Sequence, residues 1–198
     1  RLYDHGQICP TNSDLALLAQ ENMIDPLTGE RTKYEDRLWI LRRDSFFSPV
    51  FPQKTRVTHE WWDTGGRHIY AINNSSRFGG PAIFRVDTHT AEVENIWSGQ
   101  YWHAHDFDHA RWLVADKHHL TRFYRGCPSS VYFIDRENQK EVTIVSLNPE
   151  HHTDGSVYHI DPHPRFSPDG EMVVHTTTVR DEVDIAITMT ADLLKAGG

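Results

Sequence analysis

His5, His59, His103 and His163 stand 54, 44 and 60 residues apart, and each opens a stretch of similar design. The design is a histidine, two further residues, a bulky apolar residue, a turn and then a strand-like run. In His163-Pro-Arg-Phe-Ser-Pro-Asp-Gly the run that follows is Met172-Val-Val-His. His59-Glu-Trp-Trp-Asp-Thr-Gly-Gly leads to His68-Ile-Tyr in the same frame, with Trp62 in the place of Phe166 and Gly66 in that of Gly170. His103-Ala-His-Asp-Phe-Asp-His-Ala leads to Trp112-Leu-Val, with its bulky residue, Phe107, one place late and no Gly in its turn. His5-Gly-Gln-Ile-Cys-Pro-Thr-Asn reaches Leu15-Ala-Leu-Leu through a slightly longer turn. Imidazoles that recur at one position of a repeat can converge on a shared centre. There they could bind a divalent metal or supply a general base.

The last stretch adds a carboxylate. Tyr158-His-Ile-Asp-Pro-His places Asp161 two residues before His163, on the same face of an extended strand. An Asp and a His on one face, joined by a His from a neighbouring repeat, form a nitrogen and oxygen set suited to Mn²⁺, Fe²⁺ or Zn²⁺. The plainer alternative is that a strand-start histidine hydrogen-bonds a neighbouring sheet. Four such histidines are poorly explained that way, because a core needs apolar volume and not a cluster of titratable rings. His105 and His109 share the segment of His103, and either could replace it if the register there differs. The pairs His118-His119 and His151-His152 are expected in solvated loops. His68 and His175 on second strands, and His89 in a turn, are expected to be structural. Arg37, at the entrance of Leu38-Trp-Ile, would ordinarily make a salt bridge. Beside a histidine cluster it could instead clamp a carboxylate in bidentate fashion. The chain has no Gly-rich phosphate loop, Gly-x-Ser-x-Gly elbow or His-Glu-x-x-His helix.

Short β-branched or aromatic runs bounded by Gly, Asp, Asn or Pro must position these side chains. They include Leu38-Trp-Ile-Leu, Ala82-Ile-Phe-Arg-Val, Val131-Tyr-Phe-Ile and Glu141-Val-Thr-Ile-Val. Helical periodicity is scarce: the best candidate is the tail, Thr190-Ala-Asp-Leu-Leu-Lys, while residues 12–22 could be read as helix but the repeat alignment makes their Leu run a strand. Each repeat supplies a first strand after its histidine and a second after the turn, and three of the four continue to a third and a fourth, which is the make-up of a propeller blade; the last repeat continues with Met172-Val-Val-His and Val183-Asp-Ile-Ala-Ile. The expected fold is all-β: a β-propeller with about four blades of four antiparallel strands, starting near residues 5, 59, 103 and 163. Residues 1–198 are expected to form one propeller domain, part of a larger ring. Blades N-terminal to Arg1 are expected to be missing and to complete that ring, since four blades alone leave sheet faces and edges uncovered. In a blade the first strand is innermost, so the repeated histidine would sit at one end of the axis.

Composition narrows the partners. A formal charge of −8 and the lack of any Lys/Arg run argue against nucleic acid. No apolar run approaches membrane-spanning length. Cys9 and Cys127 are too few for a disulfide framework and are expected to be unpaired, at least one of them buried. An anionic substrate would need locally placed Arg, His or metal, because the global field repels it.

Taken in order, His5-Gly-Gln-Ile-Cys-Pro-Thr, Asp36-Arg-Leu-Trp-Ile, Thr58-His-Glu-Trp-Trp, His103 through Asp116, and Pro162-His-Pro-Arg-Phe-Ser-Pro-Asp-Gly resemble the oligogalacturonate lyases. These are seven-bladed propellers with repeats of the TolB type. The resemblance implies that His59 acts as base, that Arg37 contacts substrate and that His103 is a ligand of Mn²⁺. The remaining ligands of that family come from a Gln-x-x-His-x-His motif. Here Tyr158 stands in place of Gln, Asp161 in place of the first His, and His163 is kept. Asp is a competent Mn²⁺ ligand, so the metal can persist with altered charge. The implied activity is β-elimination on short uronate oligosaccharides. The alternatives are a lyase for another uronate polymer such as ulvan, or a non-catalytic TolB-like propeller that binds a protein. Cytoplasm and periplasm both stay open.

Overall fold

The computed structural model describes residues 3–20, 23–24, 27–32, 36–44, 47–55, 57–119, 126–151 and 160–197. Its contacts group into two compact units, Arg1–Gly99 and Gln100–Gly198. The architecture is all-β and of the propeller type, with successive antiparallel blades and, among the described residues, one short α-helix.

In the first unit, β1 (Tyr3–Cys9), β2 (Asn12–Gln20), β5 (Leu38–Arg42) and β6 (Ser48–Pro49) form the first blade in that order. A small hairpin of β3 (Met23–Ile24) and β4 (Arg31–Thr32) is inserted between β2 and β5. The second blade runs β7 (Thr58–Trp62), β8 (His68–Asn73), β9 (Ala82–Asp87) and β10 (Val93–Ser98). Alternation along β2 buries Leu15, Leu17 and Ala19 on one face. That face joins Leu38 and Ile40 of β5 in a core with Val57, Trp62, Ile69, Ala71 and Val86.

The second unit holds β11 (Ala104–Phe107), β12 (Trp112–His118), β13 (Ser129–Asp135) and β14 (Lys140–Asn148) as its first blade. The last blade has three strands: β15 (Arg165–Phe166), β16 (Met172–Thr177) and β17 (Asp184–Met189). Helix α1 (Thr190–Ala196) closes the chain, with Leu193 buried. Val114, Phe133, Phe166, Val173 and Leu193 make the core between these elements, with Phe107 and Trp112 packed against it.

The turns between first and second strands show the repeat at atomic level. Gly66 N–H donates to Asp63 C=O (3.1 Å), and Gly170 N–H donates to Ser167 C=O (2.9 Å). Both glycines have left-handed φ, +68° and +73°. The corresponding turn after β11 lacks Gly and places Asp108, His109 and Ala110 in the left-handed region instead, while Arg111 N–H donates to Asp108 C=O (2.9 Å). At Gly170 an added Cβ would lie 2.4 Å from the Phe107 ring. A left-handed L-residue costs about 1–2 kcal/mol, and overpacking typically adds about 1–3 kcal/mol. Gly170→Ala is therefore expected to lower unfolding free energy by about 2–5 kcal/mol, read as a shifted urea midpoint at unchanged slope.

Candidate metal centre

His103 precedes β11 directly, and its position is set by the strand beside it. Trp102 N–H donates to Asp116 C=O (2.9 Å), and Asp116 N–H donates to His103 C=O (3.0 Å). The Asp116 side chain continues the connection: Oδ1 accepts the His103 backbone N–H (2.7 Å), and Oδ2 lies 2.8 Å from His103 Nδ1. Asp116 is fully buried on β12, and His103 is 6% exposed. Burial pushes the Asp116 carboxyl up to about 6, against the backbone donor of His103 and the nearby His163 and His118 rings.

The segment 160–164 brings the other two groups. Asp161 is buried and His163 is exposed. His103, Asp161 and His163 each offer one potential ligand atom, and these atoms all lie within 4.8 Å of one another. The His103 and His163 rings are 3.5 Å apart between centroids. The route to this convergence differs from the expected one. Asp161 and His163 do not sit in an extended strand, because His163 has φ +43°, and its backbone N–H turns to Asp116 Oδ2 at 3.1 Å. Two imidazoles and a carboxylate, backed by a second buried carboxylate, suit a hard-to-borderline divalent ion such as Mn²⁺, Fe²⁺ or Zn²⁺. With neutral imidazoles the two carboxylates carry two negative charges, which a divalent ion neutralises. The residues present therefore fit the metal. Tyr158 and His159 lie outside the described residues.

The remaining site residues of the sequence reading belong to the first unit. His59 lies in β7 at a bulge between Thr58 and Trp61, with φ +50°. His59 and His163 share a left-handed backbone that spacing alone did not reveal. Arg37 is 6% exposed just before β5, and its guanidinium forms a buried ion pair with Glu60, the residue after His59. His5 lies inside β1, opposite Ala19.

Asp116 is the residue the sequence reading passed over. A carboxylate in an otherwise apolar strand, Trp112-Leu-Val-Ala-Asp, was the available signal. His105 stays on β11, opposite Val114, and its Nδ1 accepts Phe166 N–H (3.4 Å). Burial, with Arg165 nearby, pulls its pKa down to about 4. His109 is exposed in the turn. The loop expectation fails for His118, which ends β12 with Nδ1 2.9 Å from Cys127 Sγ, while His119 meets the Ser130 hydroxyl. Their side chains do diverge, each to its own partner. His68 pairs with Asp63 (2.9 Å), and the backbone N–H of His89 donates to Asp87 Oδ1 (2.8 Å). His175 is buried on β16, and burial lowers its pKa. Neither cysteine is in a disulfide, and both are buried. Among the described residues no helix is long and apolar enough to cross a membrane.

No family model and no curated protein sequence matches the chain. Solved structures do. An oligogalacturonate lyase in complex with manganese superposes with a TM-score of 0.70 at 17% identity, covering 98% of this chain and 50% of that one. The oligogalacturonate lyase of Vibrio parahaemolyticus gives 0.68 at 16% identity, covering 94% and 49%. TolB from Acinetobacter baumannii gives 0.60 at 16% identity, covering 91% and 40%. The chain thus spans about half the length of the lyases it is similar to. At these identities the likeness establishes the fold, a propeller of the kind that oligogalacturonate lyase and TolB share.

Proposed function

We propose that this chain carries the metal centre of a lyase that cleaves uronate oligosaccharides by β-elimination. The single observation behind this reading is the convergence of His103, Asp161 and His163 beside the buried Asp116. His103, Asp161 and His163 would hold the ion. When bound, a divalent metal would supply Lewis-acid polarisation of the uronate carboxylate and so acidify the C5 proton. Neutral His59 is the proposed base. It takes the C5 proton, the electron pair becomes the C4–C5 double bond, and the C4–O bond breaks with its pair going to the departing oxygen, which takes a proton from solvent, leaving a 4,5-unsaturated uronate. Arg37 is the proposed second positive group for the carboxylate. Because the chain spans half of the similar lyases, the activity of the whole protein is part of the proposal.

The test is incubation with digalacturonate and Mn²⁺, following ultraviolet absorbance of the unsaturated product. The expected result is a rising signal, abolished by EDTA and restored by Mn²⁺, with bound metal lost in His103→Ala and His163→Ala. Bound metal without product from any of several uronates, including ulvan fragments, would sink the lyase reading. Absence of both metal and product would favour a TolB-like binding propeller.

A further inference from the structure

We infer that Asp116 is a positioning residue of the metal centre, which fixes the tautomer of His103 and the backbone of His163 so that both imidazoles present to one ion. The inference rests on the metal reading above and adds a residue to it. An ionised carboxylate only accepts hydrogen bonds. Asp116 Oδ1 receives the His103 backbone N–H, and Oδ2 receives the His163 backbone N–H while lying 2.8 Å from His103 Nδ1. With both oxygens engaged as acceptors, the proton of neutral His103 sits on Nδ1. The lone pair is then on Nε2, the nitrogen left to ligate. A carboxylate behind a metal-binding histidine also raises the basicity of the ligating nitrogen.

The second half of the role is mechanical. His163 adopts a left-handed backbone that an L-residue takes reluctantly, and its N–H is anchored by the same oxygen that faces His103. One fully buried side chain on β12 therefore sets two of the three converging groups. The Trp102 ring lies nearly perpendicular to that of His103, 6.2 Å away between centroids. The imidazole is left with little freedom to flip.

Two measurements decide the matter without recourse to activity. Long-range ¹H–¹⁵N correlation on metal-free protein should show His103 as the Nδ1–H tautomer, and titration with Zn²⁺ should shift Nε2. Asp116→Asn should place an amide donor opposite Nδ1, turn His103 to the Nε2–H form, and weaken Mn²⁺ binding by about 10–100-fold. An Nε2–H tautomer in the unsubstituted protein would overturn the inference, as would Mn²⁺ affinity within twofold in Asp116→Asn. If Asp116→Asn does not fold, the tautomer of the unsubstituted protein still decides. A lyase assay that fails while the tautomer and Zn²⁺ results hold would reject the proposed activity and leave the role of Asp116 standing.

Discussion

Arg37→Ala is expected to lower the stability of the fold by about 3–5 kcal/mol, whatever it does to activity. The guanidinium and the Glu60 carboxylate are 7% and 1% exposed as side chains, so removing the cation takes the opposite charge away from a buried carboxylate. Breaking such a pair is far more damaging than replacing it. The double variant Arg37→Met/Glu60→Leu should recover most of the loss, because apolar side chains of similar volume carry no desolvation penalty. Chemical denaturation of the two single variants and the double variant gives the coupling energy directly. A loss under about 1 kcal/mol in Arg37→Ala would contradict the buried pair. The same series clarifies function. If the double variant is stable yet inactive, Arg37 acts on substrate; if stable and active, its task ends at Glu60.

His59→Ala is expected to lower uronate β-elimination by about 10²–10⁴, the usual worth of a positioned base, while bound Mn²⁺ stays at the level of the unsubstituted protein. The contrast with His103→Ala and His163→Ala, which should lose the metal, is the informative part. Stopped product formation with intact metal content separates proton transfer from metal holding. Residual activity within fivefold of normal would remove His59 from the proposed chemistry.

Most of the fold was legible because a blade is a local object. Each strand run is short, strongly β-forming and punctuated, and the alternation Leu15, Leu17, Ala19 reports the buried face without any tertiary knowledge. The tail helix was legible for the same reason. The site was legible only as far as repeat position carried it. Spacing put His103, Asp161 and His163 forward, and the structure brings the three together. Spacing could not show that His163 leaves the extended conformation, since a left-handed backbone is written in no residue type when the residue is not Gly. Nor could it show Asp116, whose partners are His103, 13 residues away, and His163, 47 away. His118 was misjudged because two adjacent histidines read as loop, whereas a strand end with Cys127 on one side and Ser130 on the other accommodates both. Long-range partners of this kind exist only once the sheets have formed.

The left-handed backbone at His59 and His163 carries a conformational cost. At φ +50° and +43° each chain position would accept Gly with less conformational penalty than any residue bearing a Cβ. Relief of about 1–2 kcal/mol is available at each. A laboratory selection for thermal tolerance alone would therefore drift toward Gly or Asn at these two places, and every step would discard an imidazole. Persistence of histidine under such a selection would require a simultaneous demand for turnover, which makes these positions a built-in marker of whether the ring is under functional constraint.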